Sequence, residues 1–167
     1  MTVDEMILEA LLLGVGATLV LDLWGLVLRK GFNIPSLDMR MVGRWLGGFT
    51  RGQFYHVHIG KAAPFPFEGV IGWGAHFLIG CLFAAGFLMV VGSDWLQGTS
   101  FLPALLFGMG TVVFPFFLMQ PAFGFGVAAS KTPSPYTARL KSIISHCVFG
   151  VGLYLIGVII SGVGISF

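Results

Sequence analysis

The chain has 167 residues, 56% of them hydrophobic and only 10% charged, with a formal net charge of +2. Soluble domains carry roughly 25% charged residues, so this composition could not cover a water-facing surface. It excludes a soluble domain and makes lipid the solvent in which the sequence has to be read.

A helix that spans a bilayer needs about 20 apolar residues, and four segments qualify. The first runs from Glu5 to Leu28. Its start is acidic and its apolar run is long, so it reads as a retained span and not as a cleaved leader, which would begin with a basic region. Arg29 to Glu68 form a long connection. Within it, residues 36–47 predict a short amphipathic helix with Ser36 as N-cap after Pro35. Leu37, Met41 and Trp45 fall on one face of that helix and Arg40 and Arg44 on another, which suits a helix lying in the headgroup plane or one packed on the end of the spans. The prolines of Ala62-Ala-Pro-Phe-Pro-Phe keep the rest extended.

The second span is Gly69 to Gly92 and the third Leu102 to Ala129. Pro115 and Pro121 predict a kink in the third and a disturbed last turn. Such breaks persist in membranes where protein satisfies the freed backbone groups. Ser130-Lys-Thr-Pro-Ser-Pro reads as a tight turn, and the fourth span is Leu140 to Ile165. The fold class is therefore all-α: one transmembrane domain, 1–167, built as a four-helix membrane bundle with one interfacial helix.

Eight of the nine Lys and Arg residues lie in the first and third connections, Arg29, Lys30, Arg40, Arg44, Arg51 and Lys61, then Lys131 and Arg139, and the ninth, Lys141, stands at the entry of the fourth span on the same side. Cytoplasmic loops are enriched in such residues, so both termini are expected outside. Asp4, Glu5, Glu9 and Asp94 sit at the opposite ends of the spans. The basic loops read as orientation signals, with anionic lipid as a candidate partner, and not as a nucleic-acid footprint. Cys81 and Cys147 lie inside spans, where cysteine serves as a small packing residue.

Small residues recur at helical spacing: Gly14, Thr18, Asp22 and Gly25; Gly72, His76, Gly80 and Ala84; Ser142, His146, Gly150, Gly157 and Ser161. Small residues let membrane helices approach closely, so these stripes are expected to face inward. Each carries a polar group at a similar depth. Asp22 is ~10 Å from Arg29, His76 ~12 Å from Glu68 and His146 ~10 Å from Arg139, at 1.5 Å rise per residue. Gln120 comes about a turn deeper, beside Met119 and Pro121.

A carboxylate at mid-membrane costs ~2.5–3.5 kcal/mol on insertion scales, so Asp22 must be protonated, paired or wet. Three readings stay open. In the first, Asp22, His76, His146 and Gln120 form a proton or cation site in a transporter or sensor, since membrane proton relays use Asp, Glu and His. In the second, His76 and His146 are axial ligands of a b-type haem, or Asp22, His76, His146 and Met119 hold a metal. In the third, these residues are interhelical glue in a scaffold or assembly partner, each worth under about 1 kcal/mol. Whether the protein is an enzyme, whether it holds a cofactor, and whether it forms homo-oligomers are left open by the residues. His56-x-His58 lacks the Cys or carboxylate companions of a zinc site and reads as a pair of loop histidines.

Five strings carry a resemblance: Gly16-Ala-Thr-Leu-Val-Leu-Asp-Leu-Trp24, Ile34-Pro-Ser-Leu-Asp-Met-Arg-Met-Val-Gly-Arg-Trp-Leu-Gly47, Gly72-Trp-Gly-Ala-His76, Pro115-Phe-Phe-Leu-Met-Gln-Pro-Ala122 and Ser145-His-Cys-Val-Phe-Gly-Val-Gly-Leu-Tyr154. With these the chain resembles a bacterial membrane family known as domain of unknown function 2938. The resemblance implies a small inner-membrane protein with four spans, and it implies no activity.

Overall fold

The computed structural model describes residues 3–163. The first helix, α1, is Val3–Phe32, followed by α2 (Met39–Gly48), α3 (Glu68–Val91), α4 (Phe101–Gly110), the short α5 (Gln120–Ala122) and α6 (Pro135–Gly162). No strand occurs among the described residues. Four helical stretches are long and apolar enough to cross a membrane: Asp4–Phe32, Glu68–Val91, Phe101–Ala122 and Pro135–Gly162. Residues 164 and 165, the expected end of the fourth span, lie outside the described residues.

The chain divides into two compact units. The first gathers residues 1–35, 77–111 and 144–167. Its helices meet at glycines, as the small-residue stripes predict. A Cβ on Gly14 would strike the Cys81 backbone, and one on Gly108 the backbone of Gly150. A Cβ on Gly152 would lie 2.9 Å from Ala17 Cα and one on Gly16 2.6 Å from Ile156 Cγ1. Around these approaches Leu13, Ala17, Ala84, Phe87, Leu96 and Leu153 form the buried core. Thr18 satisfies its hydroxyl inside this core by donating to the Gly14 carbonyl at 2.7 Å, the usual device for a buried threonine in a helix. Cys81 and Cys147 are free thiols.

The second unit comprises residues 36–76 and 112–143. Its N-cap differs from the expectation: Asp38, not Ser36, caps α2, its carboxylate accepting from the Arg40 N–H at 2.9 Å. The helix therefore starts later, and its buried positions are Val42, Gly43, Gly47 and Gly48. This face meets the first turns of α3, where Cβ atoms on Gly43 and Gly72 would strike the Glu68 and Met39 carbonyls respectively. Thus one face of α2 rests on protein.

The third apolar stretch also departs from expectation. Proline has no N–H, and its ring clashes with the carbonyl four residues earlier; for Pro115 that residue is Thr111. Accordingly α4 stops at Gly110, residues 111 and 112 form a turn, and Pro115–Met119 is a π-helix closed by the Gln120 N–H on the Pro115 carbonyl. The break thus falls about a turn ahead of Pro115. The helix then ends at Ala122, not at Ala129. Gly124, with φ +84°, turns the chain where a Cβ would strike the Val57 carbonyl.

Candidate functional site

The first unit holds His146 on α6, with Thr111 at the end of α4 as its partner. At the end of α4 the Thr111 N–H reaches the Phe107 and Gly108 carbonyls, both at 3.1 Å, and its hydroxyl donates back to the Gly108 carbonyl and lies 2.7 Å from His146 Nδ1. A carbonyl has no proton to give, so the single hydroxyl proton of Thr111 is spent on Gly108. Thr111 can then only accept, and His146 must donate through Nδ1–H. In the neutral ring this leaves the lone pair on Nε2, free to accept a proton or to ligate. The close approach of Gly108 to Gly150 makes the contact attainable, since a Cβ on Gly108 would also lie 2.8 Å from the His146 carbonyl.

Asp22 belongs to the same unit. Helices α1 and α6 are antiparallel, with Gly16 against Ile156 and Ala17 against Gly152. Asp22 is five residues beyond Ala17, and His146 six residues before Gly152. At 1.5 Å per residue these steps are ~7.5 and ~9 Å in the same direction, so the two positions share a level. Asp22 is half-buried and engaged in an interaction of its own.

The other expected site residues fall in the second unit. His76 is half-buried, its ring edge-on to Trp73 at 5.6 Å between centroids. Gln120 is 6% exposed; its amide donates to Ser142 Oγ at 3.2 Å while its carbonyl oxygen, buried, has no hydrogen-bond partner. Met119 packs beside the cluster of Val42, Ile59, Ala122 and Phe123. Among the described residues no group of three or more His, Cys, Asp or Glu side chains is arranged to hold a metal ion.

Two residues, one read as a charge on the face of the short helix and the other as a loop histidine, turn out to be central to the second unit. Arg44 makes a forked pair with Glu68, Nε to Oε2 at 2.8 Å and Nη2 to Oε1 at 2.9 Å, both side chains being 13% exposed. Its Nη1 donates to the Ile59 and Ala62 carbonyls at 3.0 and 2.9 Å. The Phe65 N–H closes on Glu68 Oε2 at 3.0 Å. The bidentate geometry is what a planar guanidinium provides and lysine does not. Hydrogen bonding to Glu68 holds the Arg44 pKa above its ordinary value.

His56 is the second such residue. Expected as a solvated loop histidine, it is only 9% exposed, while His58 two positions on is exposed. Residues 56–59 lie along the end of α5, His56 N–H on the Ala122 carbonyl at 2.8 Å and Ile59 N–H on the Phe123 carbonyl at 3.0 Å. The Gln53 amide nitrogen sits 3.3 Å from His56 Nδ1. An amide nitrogen only donates, so Nδ1 accepts and the proton is on Nε2, which is buried without a partner. Burial, helped by the charge of Arg44, pushes the His56 pKa down.

Sequence reasoning missed Thr111, Arg44, His56 and the buried Glu9. No local signal marks Thr111, whose contact with His146 spans 35 residues. Residues 11–160 match the family described as "Protein of unknown function (DUF2938)". No curated protein and no solved structure matches the chain.

Proposed function

The chain belongs to the DUF2938 family of proteins of unknown function, and from that premise we propose that it is a multi-pass membrane protein that couples a proton to transport or sensing, with His146 as the proton acceptor. The observation that carries this reading is the hydrogen bond from His146 Nδ1 to Thr111, because it orients the ring and leaves Nε2 as the basic atom. A histidine whose second nitrogen is fixed by a neighbour is poised to exchange a proton or a ligand at the first. Asp22, level with it on α1, is the carboxyl that would stabilise a transient imidazolium. The enrichment of Lys and Arg in the basic connections supports a cytoplasmic setting for their side of the protein, where Arg51, Lys61 and Lys131 would meet anionic lipid. The bacterial inner membrane is the setting that fits.

The test is proton flux into vesicles containing the purified protein and a trapped pH dye. His146→Gln should abolish flux and Asp22→Asn should diminish it, both with the fold retained. Flux unchanged in His146→Gln would end this reading. A Soret band in protein purified from its native membrane would replace it with haem ligation by the same nitrogen.

A further inference from the structure

Glu9 is the one ionisable side chain of the first unit buried below a tenth of its surface among the described residues, at 4% exposed. Of the three acids near this end of α1, Asp4 is exposed and Glu5 half-buried. Glu9 turns into protein instead, and its Oε2 has no hydrogen-bond partner. The antiparallel register of α1 and α6 continues from Ala17–Gly152 by eight residues on each helix to Glu9 and Ile160. Ile160 is itself buried, as are Ala10 and Leu13 beside Glu9 on α1.

The charged side chain nearest Glu9 is Glu5, one turn earlier, a like charge, while the amino terminus of the chain acts on it as an opposite charge, the weakest of the three influences after burial and Glu5. On the other elements of this unit the ionisable side chains are the exposed Asp94 in the 93–97 turn, Cys81 on α3, and His146, Cys147 and Tyr154 on α6. None is hydrogen-bonded to Glu9 Oε2. An ionised carboxylate left without a partner in such surroundings carries a desolvation cost that the neutral acid avoids.

We propose that Glu9 is a second proton-binding site of this protein, a neutral carboxyl held in apolar packing some thirteen residues along α1 from Asp22, or ~20 Å at 1.5 Å per residue. Loading forms one O–H bond on the carboxylate from hydronium, unloading breaks it, and no electron is transferred. The proposal rests on the proton-linked reading above, extending it from one station to two. Glu9 and the Asp22–His146 level are separated along the helix by a distance suited to exchange at two ends of the same unit.

The experiment combines infrared spectroscopy with flux. Wild-type protein in lipid should show the C=O stretch of a buried carboxylic acid that disappears reversibly as the pH is raised and is missing in Glu9→Gln. Glu9→Gln should lose flux to the level of protein-free vesicles, and so should Glu9→Leu, while the unfolding temperature of Glu9→Leu matches or exceeds the wild type. His146→Gln should lose flux yet keep the titrating band, so failure at His146 is told apart from failure at Glu9. No Glu9 band, a band that never titrates, or full flux in Glu9→Gln would overturn the proposal.

Discussion

The two units of this molecule solve one problem in opposite ways. Each must satisfy polar atoms removed from water, with few charges to do it. The first uses neutral groups: Thr18 on Gly14, Thr111 on Gly108, His146 on Thr111. The second uses charge, with Arg44 gripping Glu68 and two carbonyls. Their histidines show the contrast most clearly. His146 donates through Nδ1 and exposes a lone pair at Nε2; His56 accepts at Nδ1 and carries its proton on Nε2. The lesson is that a buried imidazole's chemistry is set by whether its neighbour can accept or can only donate. A hydroxyl already committed elsewhere makes a base of one ring, and an amide nitrogen makes a donor of the other.

The contrast can be broken most forcefully at Arg44. Arg44→Met leaves the Glu68 carboxylate and two carbonyls without their donor; loss of one partner costs about 3–5 kcal/mol in a fully buried pair, which is the ceiling for this partly buried one. Thermal unfolding of the variant should show it, and adding Glu68→Gln should recover part of the loss, since the stranded charge is then removed. Gly108→Ala attacks the first unit instead. Its Cβ would strike the Gly150 backbone, and overpacking of this kind costs about 1–3 kcal/mol; the same shift should loosen His146 from Thr111. Thr111→Val keeps the shape and removes the hydroxyl, for a cost near 1–2 kcal/mol, with proton flux reduced because the His146 tautomer is no longer fixed.

His56 gives a pH-dependent effect of smaller size. Its folded pKa lies below the ordinary imidazole value, so the unfolded chain binds the proton more readily. Stability is then full above about pH 6.5 and falls as the pH drops below it. Unfolding temperatures measured from pH 8 downward should decline in wild type and stay flatter in His56→Gln. Smallest of all is Arg51→Gln, which removes a guanidinium 5.0 Å from the Phe65 ring centroid; at an exposed site this is worth about 0.5–1 kcal/mol.

Much of the helical plan was legible because period, length and prolines act locally. The four apolar stretches, the glycine-lined faces at Gly14, Gly80 and Gly150, and a break caused by Pro115 all follow from rules about one helix at a time. The α2 cap was misplaced because Ser36 and Asp38 are both capping residues, and only the backbone geometry chooses between them. The end of the third span was misplaced because an apolar run continues past Gly124, while the φ +84° at that glycine is a tertiary outcome. The site was legible in part. His146 was singled out, but its partner Thr111 was invisible because the contact spans 35 residues. Arg44 and Glu9 were read by charge and position, and what matters for each is burial, which depends on where other segments pack.

The central claim is that His146 carries its proton on Nδ1. Protein labelled with nitrogen-15 histidine, in lipid at neutral pH, tests it directly, with His146→Gln assigning the signals. His146 should show a protonated Nδ1 and an unprotonated Nε2, and His56 the reverse pattern. A proton on Nε2 of neutral His146 would contradict it, and the basic site with it.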